Sequence, residues 1–125
     1  MKPNELTALN ALHDGQSLAA ATPAAAADRL AWVGVYPLNL EWETTRDFLR
    51  SRSQVVPLPG SRVYRIRAFE VQRRLIEEDA SISEPDLENL ADELAYGDAQ
   101  LTAELERLGV KLEQLALPYQ SDYPI

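Results

Sequence analysis

SEPDLENLADELAYGDAQLTAELERLGVKLEQL, residues 83–115, carries a leucine at every seventh position: Leu87, Leu94, Leu101, Leu108 and Leu115. Seven residues is close to two helical turns, so these side chains would share one stripe of a helix. Ser83, followed by Pro85 and several carboxylates, is typical of a helix N-terminus. The stretch therefore predicts an acidic amphipathic helix that buries its leucines.

Gly97 and Asp98 interrupt this pattern. Before Gly97, the second apolar row lies three residues after a heptad leucine, as Leu90 does after Leu87. After Gly97 it lies four residues on, as Leu105 does after Leu101. Glycine costs about 1 kcal/mol inside a helix, and aspartate is a good N-cap. These properties favour two helices that meet at Gly97, over one helix that changes its contact side there.

The leucine heptad could serve a dimeric coiled coil or an internal core. A long two-stranded zipper needs a second apolar row three residues after each leucine. Here that row reads Leu90, Gly97, Glu104 and Lys111. The pattern favours an intramolecular core and leaves a homodimer open.

Shorter helices are predicted along the rest of the chain, over 4–13, from Thr22 to Gly34 or Pro37, over 42–52, and from Ser61 to between Asp79 and Ser83. The helix over 42–52 would place Trp42, Thr45 and Leu49 on one buried side. Alternation between Trp32 and Trp42 has the period of a strand, and Pro37 restricts that strand to an edge. The predicted fold is mainly α: a small bundle of about five helices, an extended segment with tryptophan and proline, and at most one short edge strand pair. Residues 1–125 are predicted to form one domain, with an extended tail over 117–125 that is either docked by its tyrosines or loose.

The charge distribution is strongly asymmetric. The net charge is -8, and residues 76–125 hold thirteen carboxylates against Arg107 and Lys111. Residues 61–75 are basic, with five arginines and Glu70. Such asymmetry indicates either a surface for an oppositely charged partner or internal neutralisation between the two segments.

The chain lacks the residues that several classes of protein function require. The chain has no cysteine, which excludes disulfides, thiol catalysis and cysteine metal sites and is typical of a reducing compartment. His13, the single histidine, is interpreted as a helix-terminal residue. No phosphate-binding glycine motif or calcium loop occurs. We predict a cytoplasmic protein that is not an enzyme, with no cofactor, metal or membrane partner.

The arginines between Arg46 and Arg74 could contact phosphates. However, the whole chain is acidic, whereas nucleic-acid-binding domains usually carry a net basic charge. Nucleic acid is therefore disfavoured as a partner, and a protein with a basic surface is favoured.

The leading functional hypothesis is an acidic protein inhibitor, of the immunity-protein, antitoxin or phage-encoded anti-CRISPR type, that masks a basic site on a nuclease or another nucleic-acid-handling protein. The alternative is a structural or assembly subunit of a larger complex. The predicted partner-binding residues are acidic side chains and two tyrosines of the C-terminal tail: Glu88, Asp92, Glu93, Asp98, Glu104, Glu106, Tyr119 and Tyr123.

Residues 33–42, VGVYPLNLEW, resemble the tyrosine-proline-leucine…tryptophan stretch of the barstar family of ribonuclease inhibitors. The resemblance implies an inhibitor as well. It covers this stretch alone, and the rest of the chain departs from that family's pattern of strands and helices.

Overall fold

A computed structural model describes residues 2–52, 56–58 and 60–124 and has an α+β fold. Its centre is a four-stranded antiparallel sheet in the order β1-β2-β3-β4. The strands are β1 (Leu18–Thr22), β2 (Arg29–Leu38), β3 (Val63–Gln72) and β4 (Glu88–Tyr96). The predicted mainly α helical bundle is therefore wrong.

Four α-helices accompany the sheet: α1 (Pro3–His13), α2 (Glu43–Ser51), α3 (Arg73–Glu77) and α4 (Asp98–Arg107). Single 3-10 turns lie at Glu84–Asp86, Leu112–Gln114 and Pro118–Ser121. The helices predicted over 4–13 and 42–52 are confirmed. The helix predicted from Thr22 is wrong because β2 occupies most of it, and the one predicted from Ser61 is wrong up to Gln72, where β3 ends and after which the short helix α3 begins.

In β3, apolar residues alternate with arginines, which is the period of a strand. Apolar residues of the same stretch also happen to be spaced by three and four, which is the period of a helix. Tyr64, Ile66 and Ala68 point to one face of the sheet and join its core, whereas Arg65 and Arg67 point to the other. Aromatic and β-branched side chains suit a pleated surface that is covered on both sides. The stripe that predicted a helix was thus a coincidence of spacing.

The acidic leucine-rich stretch divides at Gly97. Before it lies the strand β4, and after it α4 begins at Asp98. Gly97 has a φ of 90°, a conformation that glycine adopts at little cost. The predicted break is confirmed, but the helix predicted before it is wrong. Ser83 and Asp86 do form a capping box, yet it supports only one 3-10 turn.

The heptad leucines serve the protein's own core without sharing a stripe. Leu101 and Leu115 are buried in the largest apolar cluster, and Leu108 packs against it. Leu87 and Leu94 pack against two different clusters on the opposite face of the sheet. The intramolecular role predicted for the leucines is confirmed, although their residues belong to a strand, a helix and loops.

The two faces of the sheet differ. One face packs on α1 and α4, through residues such as Leu12 and Leu105, and forms the main core. The other holds two smaller apolar clusters, one around Trp32 and Phe69 and one around Leu49. Charged side chains lie between those two clusters.

Pro37 lies in a central strand, contrary to the predicted edge strand. β2 pairs with β1 only as far as Val35, while it continues along β3 to Leu38. Pro37 therefore lies past the last residue of β2 that pairs with β1, and within the described residues no strand faces it on that side. Proline's missing N–H removes no ladder hydrogen bond there.

The C-terminal segment packs on the sheet instead of extending away from it. Trp32 donates its indole Nε1–H to the Ser121 carbonyl at 2.8 Å. The Tyr123 ring packs on Phe69, and its hydroxyl contacts that of Tyr36. No helix within the described residues combines the length and hydrophobicity needed to cross a bilayer.

Candidate functional site

The carboxylates predicted to bind a partner do not share one helical wall, and Asp92 shows why. Its side chain is only 18% exposed and lies on the second face of the sheet. Arg65 donates Nε–H and Nη2–H to its two oxygens at 2.9 and 2.5 Å. Arg52 Nη2 lies 2.8 Å from Asp92 Oδ2. Asp92 is therefore already neutralised by the protein's own arginines.

This arginine network changes the acidity of Asp92. Partial burial alone would raise its pKa, but the hydrogen bonds and charges of Arg65 and Arg52 outweigh burial and hold the pKa below its usual range. Both guanidinium groups also stack on the Phe48 ring, at 4.8 Å for Arg52 and 4.7 Å for Arg65. The network stabilises α2 against β3 and β4.

Other predicted carboxylates also have internal partners. Glu88 Oε2 lies 2.9 Å from Arg29 Nε, and Glu104 Oε2 lies 2.8 Å from Arg107 Nη2 one helical turn away. Neither pair joins the basic segment 61–75 to the acidic one; among those that do are Arg65 with Asp92 and Arg67 with Glu84. Glu93 and Glu106 are exposed and form no ion pair with any residue that the structure describes.

The two predicted tyrosine anchors have different environments. Tyr119 is 73% exposed, whereas Tyr123 is half-buried on the sheet. Burial and the hydrogen bond with Tyr36 raise the pKa of Tyr123. Tyr119 can contact a partner, while Tyr123 anchors the chain's own C-terminal segment.

A cleft of about 610 Å³ lies on another part of the molecule, between the end of α1, the loop after β2 and the start of β3. Its walls include Leu12 and Asp14, Pro37 and Tyr64. A cleft of this size can admit a side chain or a short loop of another molecule.

The cleft is braced by a three-residue network. Asp98 accepts a hydrogen bond from the Tyr64 hydroxyl at 2.6 Å and from His13 Nε2–H at 3.0 Å. Burial and this hydrogen bond raise the pKa of Tyr64. His13 is the last residue of α1, as predicted, but its carboxylate partner is Asp98 and not the adjacent Asp14. The network joins the ends of α1, β3 and α4.

One rim of the cleft presents an exposed tryptophan between two glutamates. Trp42 is 63% exposed, and Glu41, Glu43 and Asp14 are exposed nearby in the same region. We call these four residues the Trp42 rim. None of its three carboxylates forms an ion pair within the described part of the chain. The rim thus combines an aromatic surface with unneutralised negative charge.

Local turns fix the rim. Gly15, with a φ of 89°, ends α1 just after Asp14. The Asn39 side chain accepts the Glu41 N–H at 2.9 Å, and the Asn39 carbonyl accepts the Trp42 N–H at 3.2 Å. The chain then enters α2 with Trp42 as its extended N-cap residue.

Sequence analysis missed this rim because it assigned Trp42 to the core with Thr45 and Leu49. Those two residues are buried on α2, but Trp42 is not. No signal in the sequence separates Trp42 from the buried Trp32. Charged neighbours do not keep a residue out of the core, as Ile66 between Arg65 and Arg67 shows.

Among residues 2–52, 56–58 and 60–124, no group of three or more histidine or carboxylate side chains is arranged to hold a metal ion. No family model, curated protein or solved structure matches the chain. A functional proposal therefore depends on the molecule's own surface, charge and cleft.

Proposed function

We propose that the protein is an inhibitor that binds a basic site on a nuclease or another nucleic-acid-handling protein. The observation that carries the proposal is the set of exposed carboxylates left without an ion pair among the described residues. They include the Trp42 rim and a second group at the end of α3, Glu77, Glu78 and Asp79.

The physical argument is charge complementarity. The net charge of -8 steers a cationic partner toward the protein and raises the rate of encounter. Carboxylates that are exposed and unpaired can meet a partner's cations without first breaking an internal ion pair. Asp92 cannot do so, because binding a partner would have to displace Arg65.

The Trp42 rim adds an anchor to this charge. Tryptophan is enriched among the residues that contribute most to protein–protein binding. A surface that presents tryptophan together with carboxylates suits a partner whose contact residues are arginine or lysine. We also propose a cytoplasmic location, which the lack of cysteine supports.

The alternative, an assembly subunit, would use two docking segments: the proline-rich loop over 55–60, part of which lies outside the described residues, and the C-terminal segment. That segment packs on its own sheet through Tyr123 and Ser121. It is therefore engaged within the molecule, and the inhibitor is the better-supported proposal.

Affinity capture with the purified protein as bait tests the proposal. A basic enzyme should be recovered at ~0.05 M salt and released by ~0.5 M, because screening weakens exposed charge pairs. The recovered enzyme should then lose its activity on nucleic acid as the protein is added to one equivalent. Recovery of nucleic acid alone, or an enzyme whose activity is unchanged, would contradict the proposal.

A further inference from the structure

We infer that the cleft beside the Trp42 rim receives an arginine- or lysine-bearing loop of the partner protein, with the cationic group held against the Trp42 ring. This inference rests on the proposed function and names the part of the surface that would perform it. It moves the binding site away from β4, where the sequence had suggested it.

The exposure of Trp42 is the first argument. The other tryptophan, Trp32, is 3% exposed and packs on Phe69, whereas Trp42 is 63% exposed at the edge of a cleft. A tryptophan face attracts ammonium and guanidinium groups through its ring quadrupole, and the attraction grows when the pair is partly desolvated. A cleft provides such partial desolvation, which an open surface does not.

Local charge is the second argument. Asp14 and Glu41 line the cleft, and Glu43 begins α2 beside it. The carbonyl groups in the last turn of α1 already accept backbone hydrogen bonds, and the N-terminus of α2 at Trp42 presents partial positive charge. Arg62 lines the cleft as well and opposes a cation there. Negative groups outnumber this arginine around the rim.

The third argument is rigidity. The Asn39 turn fixes Glu41 and Trp42, and the Asp98 network holds the end of α1 through His13. A surface that is ordered before binding loses less conformational entropy when it binds. The rim therefore needs little rearrangement to receive a cationic side chain.

The free edge of β4 is less suited to receive a partner. Arg52 donates Nη1–H to the Asp92 carbonyl at 3.1 Å, and Gln100 accepts the Tyr96 N–H at 2.9 Å. These side chains occupy backbone groups that a partner strand would need. The cleft offers its groups without such competition.

A labelled, acetylated hexa-arginine peptide tests the inference, with hexa-citrulline as the uncharged control of the same shape. Fluorescence anisotropy at low salt should detect binding of hexa-arginine and not of hexa-citrulline. The same peptide should protect Trp42 from acrylamide quenching, while the emission of buried Trp32 stays unchanged.

Matched variants separate the rim from total charge. Glu41→Gln with Glu43→Gln should weaken hexa-arginine binding about five-fold or more, whereas Glu77→Gln with Glu78→Gln, the same change of charge elsewhere, should weaken it less than about two-fold. Trp42→Ala should weaken it about five-fold, and Tyr119→Ala, at another exposed aromatic residue, should not. Arg62→Gln should strengthen it.

Equal weakening by the two double variants, or no protection of Trp42, would overturn the cleft assignment and leave the proposed function standing. Binding that depends on the rim, found together with an enzyme whose activity the protein does not inhibit, would uphold the cleft and overturn the proposed function. If Trp42→Ala does not fold, the comparison of the two double glutamine variants still tests whether the rim binds the peptide.

Discussion

At the scale of single residues, two adjacent carboxylates have opposite roles. Asp92 and Glu93 are neighbours in β4, and successive side chains of a strand point to opposite faces. Asp92 lies opposite Arg67 and also meets Arg65, whereas Glu93 lies opposite Ile66 and is exposed. Both were predicted to bind a partner, because in a helix both would have been on the polar side.

Asp92→Asn should lower the free energy of unfolding by about 1–3 kcal/mol, because it leaves partly buried guanidinium groups without their anion. Glu93→Gln should change it by less than about 0.5 kcal/mol, since that side chain is exposed and forms no ion pair with the described residues. Urea denaturation of the two variants measures both values. Equal losses would mean that the arginine network does not stabilise the protein.

Glu70 fixes a loop that sequence analysis assigned to a helix. This residue is 7% exposed, and its carboxylate accepts the Ala25 N–H at 2.5 Å and the Asn89 side-chain amide. The hydrogen bond from Ala25, then that from Asn89, and then the charge of Arg29 hold the pKa of Glu70 below its usual value. Glu70 thus ties the loop after β1 to the start of β4.

Glu70→Gln should destabilise the protein at pH 7 by about 1–3 kcal/mol. The glutamine NH₂ group would replace one of the two carboxylate oxygens and would face the donor that this oxygen accepts from, either the Ala25 N–H or the Asn89 amide. A carboxyl whose pKa is lowered in the folded state adds stability above its ordinary pKa of 4.5, and this contribution is lost as pH falls through the lower folded value.

Urea denaturation of the natural protein and Glu70→Gln between pH 7 and pH 3 checks the sign. The difference in stability between them should shrink as the solution becomes more acidic. A difference that stays constant over this range would show that the Glu70 charge does not contribute.

At the scale of elements, the sequence predicted the helices that carry their own signals. α1 and α2 each combine helix-forming residues with a buried side, such as Leu9 and Leu12 in α1. Strand β4 has no such signal, because its leucine, alanine and glutamate residues favour helix by intrinsic propensity. It forms a strand because Ala91 and Ala95 pack beside β3, a tertiary contact that overrides local preference.

Gly34 is the position on β2 that lets the C-terminal segment dock. A Cβ atom built there would lie 2.8 Å from Tyr123 Cζ, so a larger residue requires the ring to move. Because Tyr123 also packs on Phe69, it cannot move without losing that contact. The docked segment therefore depends on a glycine in the middle of a strand.

Gly34→Ala should release the C-terminal segment and cost about 1–3 kcal/mol of stability through overpacking. Limited proteolysis should then cut near Tyr119 faster than in the natural protein. Trp32 emission should shift to longer wavelength as the Ser121 carbonyl leaves its indole. An unchanged cleavage rate would contradict this account of Gly34.

At the scale of the whole molecule, charge is divided between structure and surface. The arginines of β3 and α2 neutralise carboxylates from β4 and the turn before it, as the pairs of Arg65 with Asp92 and Arg67 with Glu84 illustrate. Among the described residues, the exposed carboxylates without an ion pair include those of the Trp42 rim, the group at the end of α3, Glu93 and Glu106. Total charge could be counted from the sequence, but this division depends on which strands pair, and the only strand predicted was the one between Trp32 and Trp42.

The most direct measurement of this account is a two-dimensional amide NMR titration of the ¹⁵N-labelled protein with hexa-arginine. Chemical shifts should change first at Asp14, Glu41, Trp42, Glu43 and Arg62, while the amides of β4 stay unchanged. Changes centred on Glu88–Tyr96, with the rim unaffected, would contradict it.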